Sequence, residues 1–595
     1  MREFSTPLAV DIPKTGNLTD DVVRNAREAG DAVLFSVRSG ETWSEVTASA
    51  FHDEVAAVAK GLIASGVEAG DRVALLSRTR YEWTLADYAI WFAGAVTVPI
   101  YETSSADQVE WILQDSGATL AIVESAEHLA KVKPVQDSSP TLREVVTIDE
   151  NAIEELRRRG AEITDEALEA RRSTATPLDL ATLIYTSGTT GRPKGCMLTH
   201  GNFMFELGVA IEELELLFKK NGASTLLFLP LAHVFARIVQ IGAFKARARL
   251  GHSADIKNLV DDLGAFKPGF ILAVPRVFEK VYNTASQRAE ADGKGKIFQR
   301  AADIAIAYSR GVEAGKISLP VRLQHAVFDK LVYSKLRTTL GGRCEYAISG
   351  GAPLGERLGH FYRGIGLTIL EGYGLTETTA ALSVNLPDAV KIGTVGRPFQ
   401  GTTVRVADDG ELLFKGGQVF AGYWNNEDAT REALADGWFH SGDVGEVDDE
   451  GFIKITGRKK EILVTAGGKN VAPTVLEDRL RSHPLISQTM VVGDGQPFIA
   501  ALITIDPEYF PYWAEQNQKT GSIASLVDDD VLRAAVQGAV EEANKAVSKA
   551  ESIRKFTILA SDWTEEGGQL TPSLKLKRNV VMREFRDDVE ALYAR

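Results

Sequence analysis

The 595-residue chain has only two cysteines, Cys196 and Cys344. Two thiols cannot build a disulfide framework, and neither sits at metal-ligand spacing, so a disulfide-stapled scaffold and a structural zinc site are excluded. A reducing cytoplasm is the expected setting. Basic residues are in deficit as well: 66 Lys+Arg against 81 Asp+Glu give a formal charge of −15. That balance argues against nucleic acid as a general partner, because phosphate backbones reward a basic face. No run reaches the ~18 uninterrupted apolar residues of a membrane helix. The opening MREFSTPLAVDIPKTGN lacks the apolar core of a signal peptide. The longest apolar stretch, 88–101, meets Pro99 and reads as a buried helix feeding a strand. Internal repeats and low-complexity tracts are missing too. What is present is an ordinary globular composition, 44% hydrophobic and 25% charged. At roughly 100–200 residues per domain, the length implies three or more structural units.

Apolar strands alternate with helical segments over the first two thirds of the chain, which predicts β-α-β units around largely parallel sheets. The clearest buried strands are 71–77, 180–185, 270–274, 346–349 and 367–370. Over 391–456 short alternating runs meet at tight polar turns, DDG at 408–410 and DDEG at 448–451, so hairpins of a small β-rich subdomain are expected. A charged knot, GRKKE, follows Gly457 and marks a boundary. Beyond it, apolar residues at helical spacing over 527–549 predict an amphipathic helix. Residues 289–296 read as an exposed turn between helices.

The run YTSGTTGRPKG at 185–195 carries the most chemistry. It leaves a β-branched apolar strand. Gly188, Gly191 and Gly195 let backbone N–H groups approach an anion, Thr186, Ser187, Thr189 and Thr190 add hydroxyls, and Lys194 adds charge. A Walker loop needs G-x-x-x-x-G-K-[ST] running into a helix. Here only two residues separate Gly188 from Gly191, and no hydroxyl residue follows Lys194.

The run instead resembles the signature loop of the adenylate-forming superfamily, which includes acyl-CoA synthetases, luciferases and peptide-synthetase adenylation domains. The resemblance implies an α/β fold. Its large N-terminal domain, 1–457, would hold stacked, mostly parallel sheets and a small β-barrel-like subdomain at 391–456. A hinge at 458–460 and a smaller, mobile α+β lid at 461–595 would follow. It also implies ATP, Mg²⁺ and coenzyme A, and site residues in the family's order. SGGAPL at 349–354 offers Gly350, Gly351, Ala352 and Pro353 as the adenine wall. EGYGLTET at 371–378 contributes Glu371, Gly372, Tyr373 to stack on adenine, Thr376 for the α-phosphate, and Glu377 for Mg²⁺. Asp443, in GWFHSGDVG, and Arg458 are the ribose contacts. In TPSLKLKR at 571–578, the spacing after the serine selects Lys575 over Lys577 as the lysine that neutralises charge at the α-phosphate, although Leu574 replaces the family's glycine. Lid rotation about Lys460 would exchange Lys575 for the loop TAGGKN, where Gly467 and Gly468 admit a pantetheine arm.

LPLAHVFAR at 229–237 resembles the border of the family's acyl pocket, with His233 beside the carboxylate. DIKNL at 255–259, VPRVFEKV at 274–281 and FDKLVYSKLRTTLGG at 328–342 look like long-chain fatty acyl-CoA synthetases. A fatty acyl-AMP ligase that loads a carrier protein, and ligases of medium-chain or aryl acids, share the ATP motifs. A catalytically decayed nucleotide-binding module is a reading of another class; Glu377, Asp443, Arg458 and Lys575 are all present against it. The basic stretch FKARAR at 244–249 raises peripheral contact with the inner face of a membrane, against the simpler reading of a solvated basic face.

Overall fold

The computed structural model describes residues 2–40, 42–139, 141–186, 192–255, 258–571 and 574–594. Ser187, Gly188, Thr189, Thr190 and Gly191 of the glycine-rich loop, Ile256 and Lys257 of DIKNL, and Pro572 and Ser573 of the closing motif lie outside these. Arg72–Leu76 is flanked by Val96–Ile100 and Leu120–Val123 in parallel, within a seven-stranded sheet. Val73 and Leu75 point into one apolar core, Ala74 and Leu76 into another. Burial on both faces is why these strands read as unbroken apolar runs rather than alternating ones.

A second sheet of nine strands is parallel through its middle, where Ser224–Leu227, Phe270–Ala273, Tyr346–Ser349 and Thr368–Tyr373 lie in sequence. The last of these runs three residues further than its apolar core predicts, because the ladder continues into EGY. One continuous core joins the two sheets, with Val73 and Leu75 from the first and Leu226 and Ile271 from the second. The third sheet is antiparallel, with the two expected hairpins turning at Gly410 (φ 85°) and Gly451 (φ 87°). It is wider than 391–456. Glu3–Ser5 closes its edge against Thr403–Val406, and Gly422–Tyr423 leaves to pair with Cys196 and Met197 of the seven-stranded sheet.

Beyond Arg458 a three-stranded sheet, Ile486–Val492, Ile499–Ile505 and Ile553–Ile558, has its own two cores. Helices Pro473–Arg481 and Asp530–Asn544 cover one face; Arg578–Glu584 and Arg586–Tyr593 cover the other. Neither core merges with the large one. Across the junction Arg276 meets Asp506 and Lys280 meets Glu508, each at 3.0 Å.

Arg237 is fully buried and bidentate on Asp87, at 2.9 and 2.5 Å. Its remaining nitrogen donates to Thr182 Oγ1 at 2.6 Å, and Thr97 Oγ1 donates to Asp87 at 2.7 Å. The guanidinium lies over the rings of Trp83 and Trp91, 5.5 and 5.1 Å from their centroids. Removing one partner strands a buried charge, so Arg237→Leu is expected to cost about 3–5 kcal/mol. The double variant Asp87→Leu/Arg237→Leu should cost less than the sum of the singles. Urea unfolding followed by tryptophan fluorescence measures both, and additive costs would show that the two charges do not depend on each other.

Candidate active site

The antiparallel pairing of Phe439–Val447 with Ile453–Arg458 sets Asp443 directly opposite Arg458. Arg458 Nε donates to Asp443 Oδ1 at 2.9 Å, and the Tyr373 hydroxyl donates to Oδ2 at 2.5 Å. The carboxylate is thus fixed from two sides, and each oxygen keeps a lone pair for a further donor. Parallel register places Ser349 beside Glu371, so SGGAP and EGYG leave the sheet together. A Cβ on Gly350 would come 3.3 Å from the Gly372 carbonyl and 3.4 Å from the Phe235 ring; one on Gly374 would strike the Ala380 carbonyl at 1.4 Å. This wall stays flat only with glycine. Ala352 and Pro353 are exposed to the cleft beyond Gly351, which adopts φ 82°. Glu371 Oε1 accepts from Leu354 N–H at 3.0 Å. Burial, with Asp478 and Glu356 adding, pushes this carboxyl up to about 7.

The glycine-rich segment joins two antiparallel strands, with Thr186 opposite Lys194. This is a hairpin, whereas a Walker loop enters a helix. Lys194 Nζ stands 5.0 Å above the Tyr423 ring, and the Tyr423 hydroxyl donates to Glu377 Oε1 at 2.8 Å. Sequence reasoning missed Tyr423. Its only local signal is the aromatic run FAGYW, and its role depends on the Gly422–Tyr423 strand crossing to the loop's own sheet. Glu377 sits on the single turn Thr376–Thr378, with Thr376 buried beside it. Among the described residues no three His, Cys, Asp or Glu side chains gather into a metal cage. One carboxylate fits Mg²⁺ shared with phosphate oxygens, which is that ion's usual arrangement.

Lys575 reaches the cleft from a tight turn. Thr571 N–H donates to the Lys575 carbonyl at 2.8 Å, and Lys575 N–H donates to Thr571 Oγ1 at 3.0 Å. Leu574 takes φ 60°, the left-handed conformation that suits the glycine it replaces. Burial within the cleft walls lowers the affinity of Lys575 for its proton, and Arg458 adds to this; Asp443, Glu377 and Glu461 act in the opposite sense. Its side chain is open to the cleft itself while protein surrounds the cleft. Lys577 also lines this space, and its own N–H is held by the Gln569 carbonyl at 2.8 Å.

His233 caps the helix Val234–Lys245, its Nδ1 accepting from Phe235 N–H at 3.1 Å. The proton of the neutral ring therefore sits on Nε2. Burial, reinforced by Lys575, pushes its pKa down to about 3. Lys460 is exposed on the short turn Lys459–Glu461. Gly467 and Gly468 lie exposed at the tip of the hairpin joining Leu463–Val464 to Asn470–Val471, and they are not brought into the cleft. The cleft, about 2040 Å³ in volume, holds His233, Glu377, Asp443, Arg458 and Lys575 on its walls and continues inward between helices His200–Glu213 and Val234–Lys245.

The profile of the AMP-binding enzyme family matches residues 22–424, and that of the AMP-binding enzyme C-terminal domain matches 460–595. The chain belongs to the AMP-binding enzyme family. Among similar proteins, long-chain-fatty-acid–CoA ligase FadD15 of Mycobacterium bovis is 53% identical over the full length of both chains. Long-chain-fatty-acid–CoA ligase ACSBG2 of Xenopus laevis is 32% identical over 95% of this chain and 82% of its own. In fold, this AMP-binding enzyme is similar to the adenylation domain of a carboxylate reductase from Mycobacterium chelonae (TM-score 0.75, 22% identity, 97% of this chain and 91% of that one). A Mycobacterium tuberculosis fatty acyl CoA synthetase is also similar (TM-score 0.61, 23% identity, 96% and 99%).

The raised carboxyl of Glu371 sets a pH dependence for this AMP-binding enzyme. Its folded-state pKa lies above the unfolded one, so the contribution is complete below the ordinary glutamate value and is lost as pH rises through about 7. Compared with Glu371→Gln, which stays neutral, the wild type should lose relative thermal stability from about pH 4.5 to about pH 7 and level off above that. Melting curves across that range check this; a constant difference between the two proteins would show that the carboxyl titrates normally.

Proposed function

We propose that the protein is a long-chain fatty acid–CoA ligase that makes an acyl-AMP and then a thioester. The observation that carries the reading is the meeting of Lys575 with the Tyr373–Asp443–Arg458 cluster at the mouth of a channel running into the apolar core. The full-length similarity to FadD15 supports it. Asp443 accepts from the ribose hydroxyls, while Tyr373 and the glycine wall at 350–351 hold the adenine. His233 donates a hydrogen bond from its Nε2–H to the fatty carboxylate, which stays ionised. A carboxylate oxygen attacks the α-phosphorus of ATP, the bond to pyrophosphate breaks, and Thr376 and Lys575 stabilise the charge on the α-phosphate oxygens. Bound to Glu377 and the phosphates, Mg²⁺ would neutralise charge on the leaving group. Residues 186–191 and Lys194 hold that group in place.

In the second step the CoA sulfur attacks the acyl carbonyl and AMP leaves. The unit from 461 onward rotates about 458–460, with Lys460 as the pivot, withdrawing Lys575 and bringing in Gly467 and Gly468. The separate cores favour this, and polar pairs such as Arg276–Asp506 and Lys280–Glu508 would part. A cytoplasmic setting suits the two buried free thiols, and no described helix is long and apolar enough to cross a membrane. The basic stretch at 244–249 is engaged within the fold: Lys245 pairs with Asp21 at 3.2 Å and Arg247 with Glu28 at 2.6 Å.

For Lys575→Ala, acyl-AMP formation measured by pyrophosphate exchange should fall on the order of 10²–10³-fold. Thioester formation from supplied acyl-AMP should be largely retained. Retention of both steps would transfer the role to Lys577. Charge reversal in Arg276→Glu/Lys280→Glu should slow the first step relative to the second, and an unchanged ratio would count against these pairs as a lid contact. Acyl-AMP that accumulates without thioester, over acids of graded length, would favour a carrier-loading ligase instead.

A further inference from the structure

Inward from His233 the channel passes along the helix His200–Glu213, where Leu207, Ala210 and Ile211 face Val239 and Gly242 of the neighbouring helix. On this otherwise apolar wall stands Glu206, 1% exposed. Its Oε1 accepts from Ala381 N–H at 3.2 Å. Its Oε2 is buried with no hydrogen-bond partner among the described residues. Burial first, then the nearby Glu213, pushes the carboxyl well above its usual range, which favours the neutral acid. With Oε1 serving as the carbonyl acceptor, the proton belongs on Oε2 and lacks an acceptor.

Fixing Ala381 N–H accounts for only one of the two oxygens. A buried donor left unpaired costs about 1–3 kcal/mol, and an apolar side chain at this position would avoid that cost on a channel wall built for methylenes. A partner arriving with the substrate resolves the difference. The acceptor would ride on the acyl chain itself, since Glu206 lines the channel beside Leu207, Ala210 and Ile211.

We propose that Glu206 forms a specificity subsite in the acyl channel for fatty acids that carry a hydroxyl or oxo oxygen on the chain. The inference rests on the ligase reading above, and on the unsatisfied Oε2 for its location. A neutral carboxylic acid donates to either oxygen, whereas an unsubstituted chain leaves it unpaired; sites built to hydrogen-bond a substrate oxygen discriminate strongly against analogues that lack it.

The test is a competition assay with ATP, Mg²⁺ and CoA, pairing hexadecanoic acid with derivatives in which one hydroxyl or oxo group is walked along the chain, and scoring each thioester by mass. Wild type should favour one position over the plain acid by roughly tenfold in kcat/KM. Glu206→Leu should erase that preference. Glu206→Gln, which keeps an acceptor for Ala381 N–H and a donor where Oε2 stood, should retain most of it. A purely structural glutamate would change stability but not this ratio. The wild-type ranking stands by itself if the leucine variant misfolds. Wild type ranking every oxygenated acid at or below the plain one, or Glu206→Leu keeping the preference, would overturn the subsite alone. Absence of thioester with every acid would overturn the ligase reading and the subsite with it.

Discussion

The buried pair between Asp87 and Arg237 fixes the geometry on which the cleft depends. Arg237 lies one turn into the helix that His233 caps, and Thr182, its third partner, lies on the strand that leads into the glycine-rich segment. One guanidinium therefore ties the helix that His233 caps to the strand Leu180–Thr186. A buried ion pair is weak evidence for stability, because the same volume filled with apolar side chains is often as stable. Its directional bonds do supply register: two oxygens of one carboxylate and one hydroxyl admit a single orientation of the helix over the sheet.

The cleft above is electrostatically mixed. Arg458 and Lys575 face Asp443, Glu377 and Glu461, and the same burial that depresses His233 also works against the charge on Lys575. A lysine on the wall of a cleft surrounded by protein acts on a bound phosphate through a medium less polar than bulk water. The neutral histidine avoids adding a further positive charge beside it.

Much of this was legible in the residues. The five strands came from unbroken apolar runs, and the two hairpins from their Asp-Asp-Gly and Asp-Asp-Glu-Gly turns, because both signals are local. The residues proposed for adenine, ribose and the lysine lie in ordered short motifs, and the fold brings Tyr373, Asp443, Arg458 and Lys575 to one cleft. Glu3–Ser5 was not legible, since a three-residue strand has no period of its own and its partner lies some 400 residues away. Tyr423 and Glu206 were missed for a related reason: each is an unremarkable residue in its own segment, and only the crossing of Gly422–Tyr423 to another sheet, or the depth of the channel, gives it a neighbour worth noting. Leu574 is the reverse case, a departure visible in sequence that takes the left-handed backbone glycine favours.

The failure of the large and small apolar cores to merge has a thermodynamic consequence. Of the ion pairs that join the two units, Arg276–Asp506 is half-buried and Lys280–Glu508 exposed, and surface pairs are each worth about 0–1 kcal/mol. On the lid rotation proposed above, pairs this weak leave the choice of orientation to the few kcal/mol that a bound nucleotide or thiol contributes through differential affinity. Occupancy would then decide which half of the proposed reaction the molecule is prepared to perform, and salt concentration would become a lever on that choice.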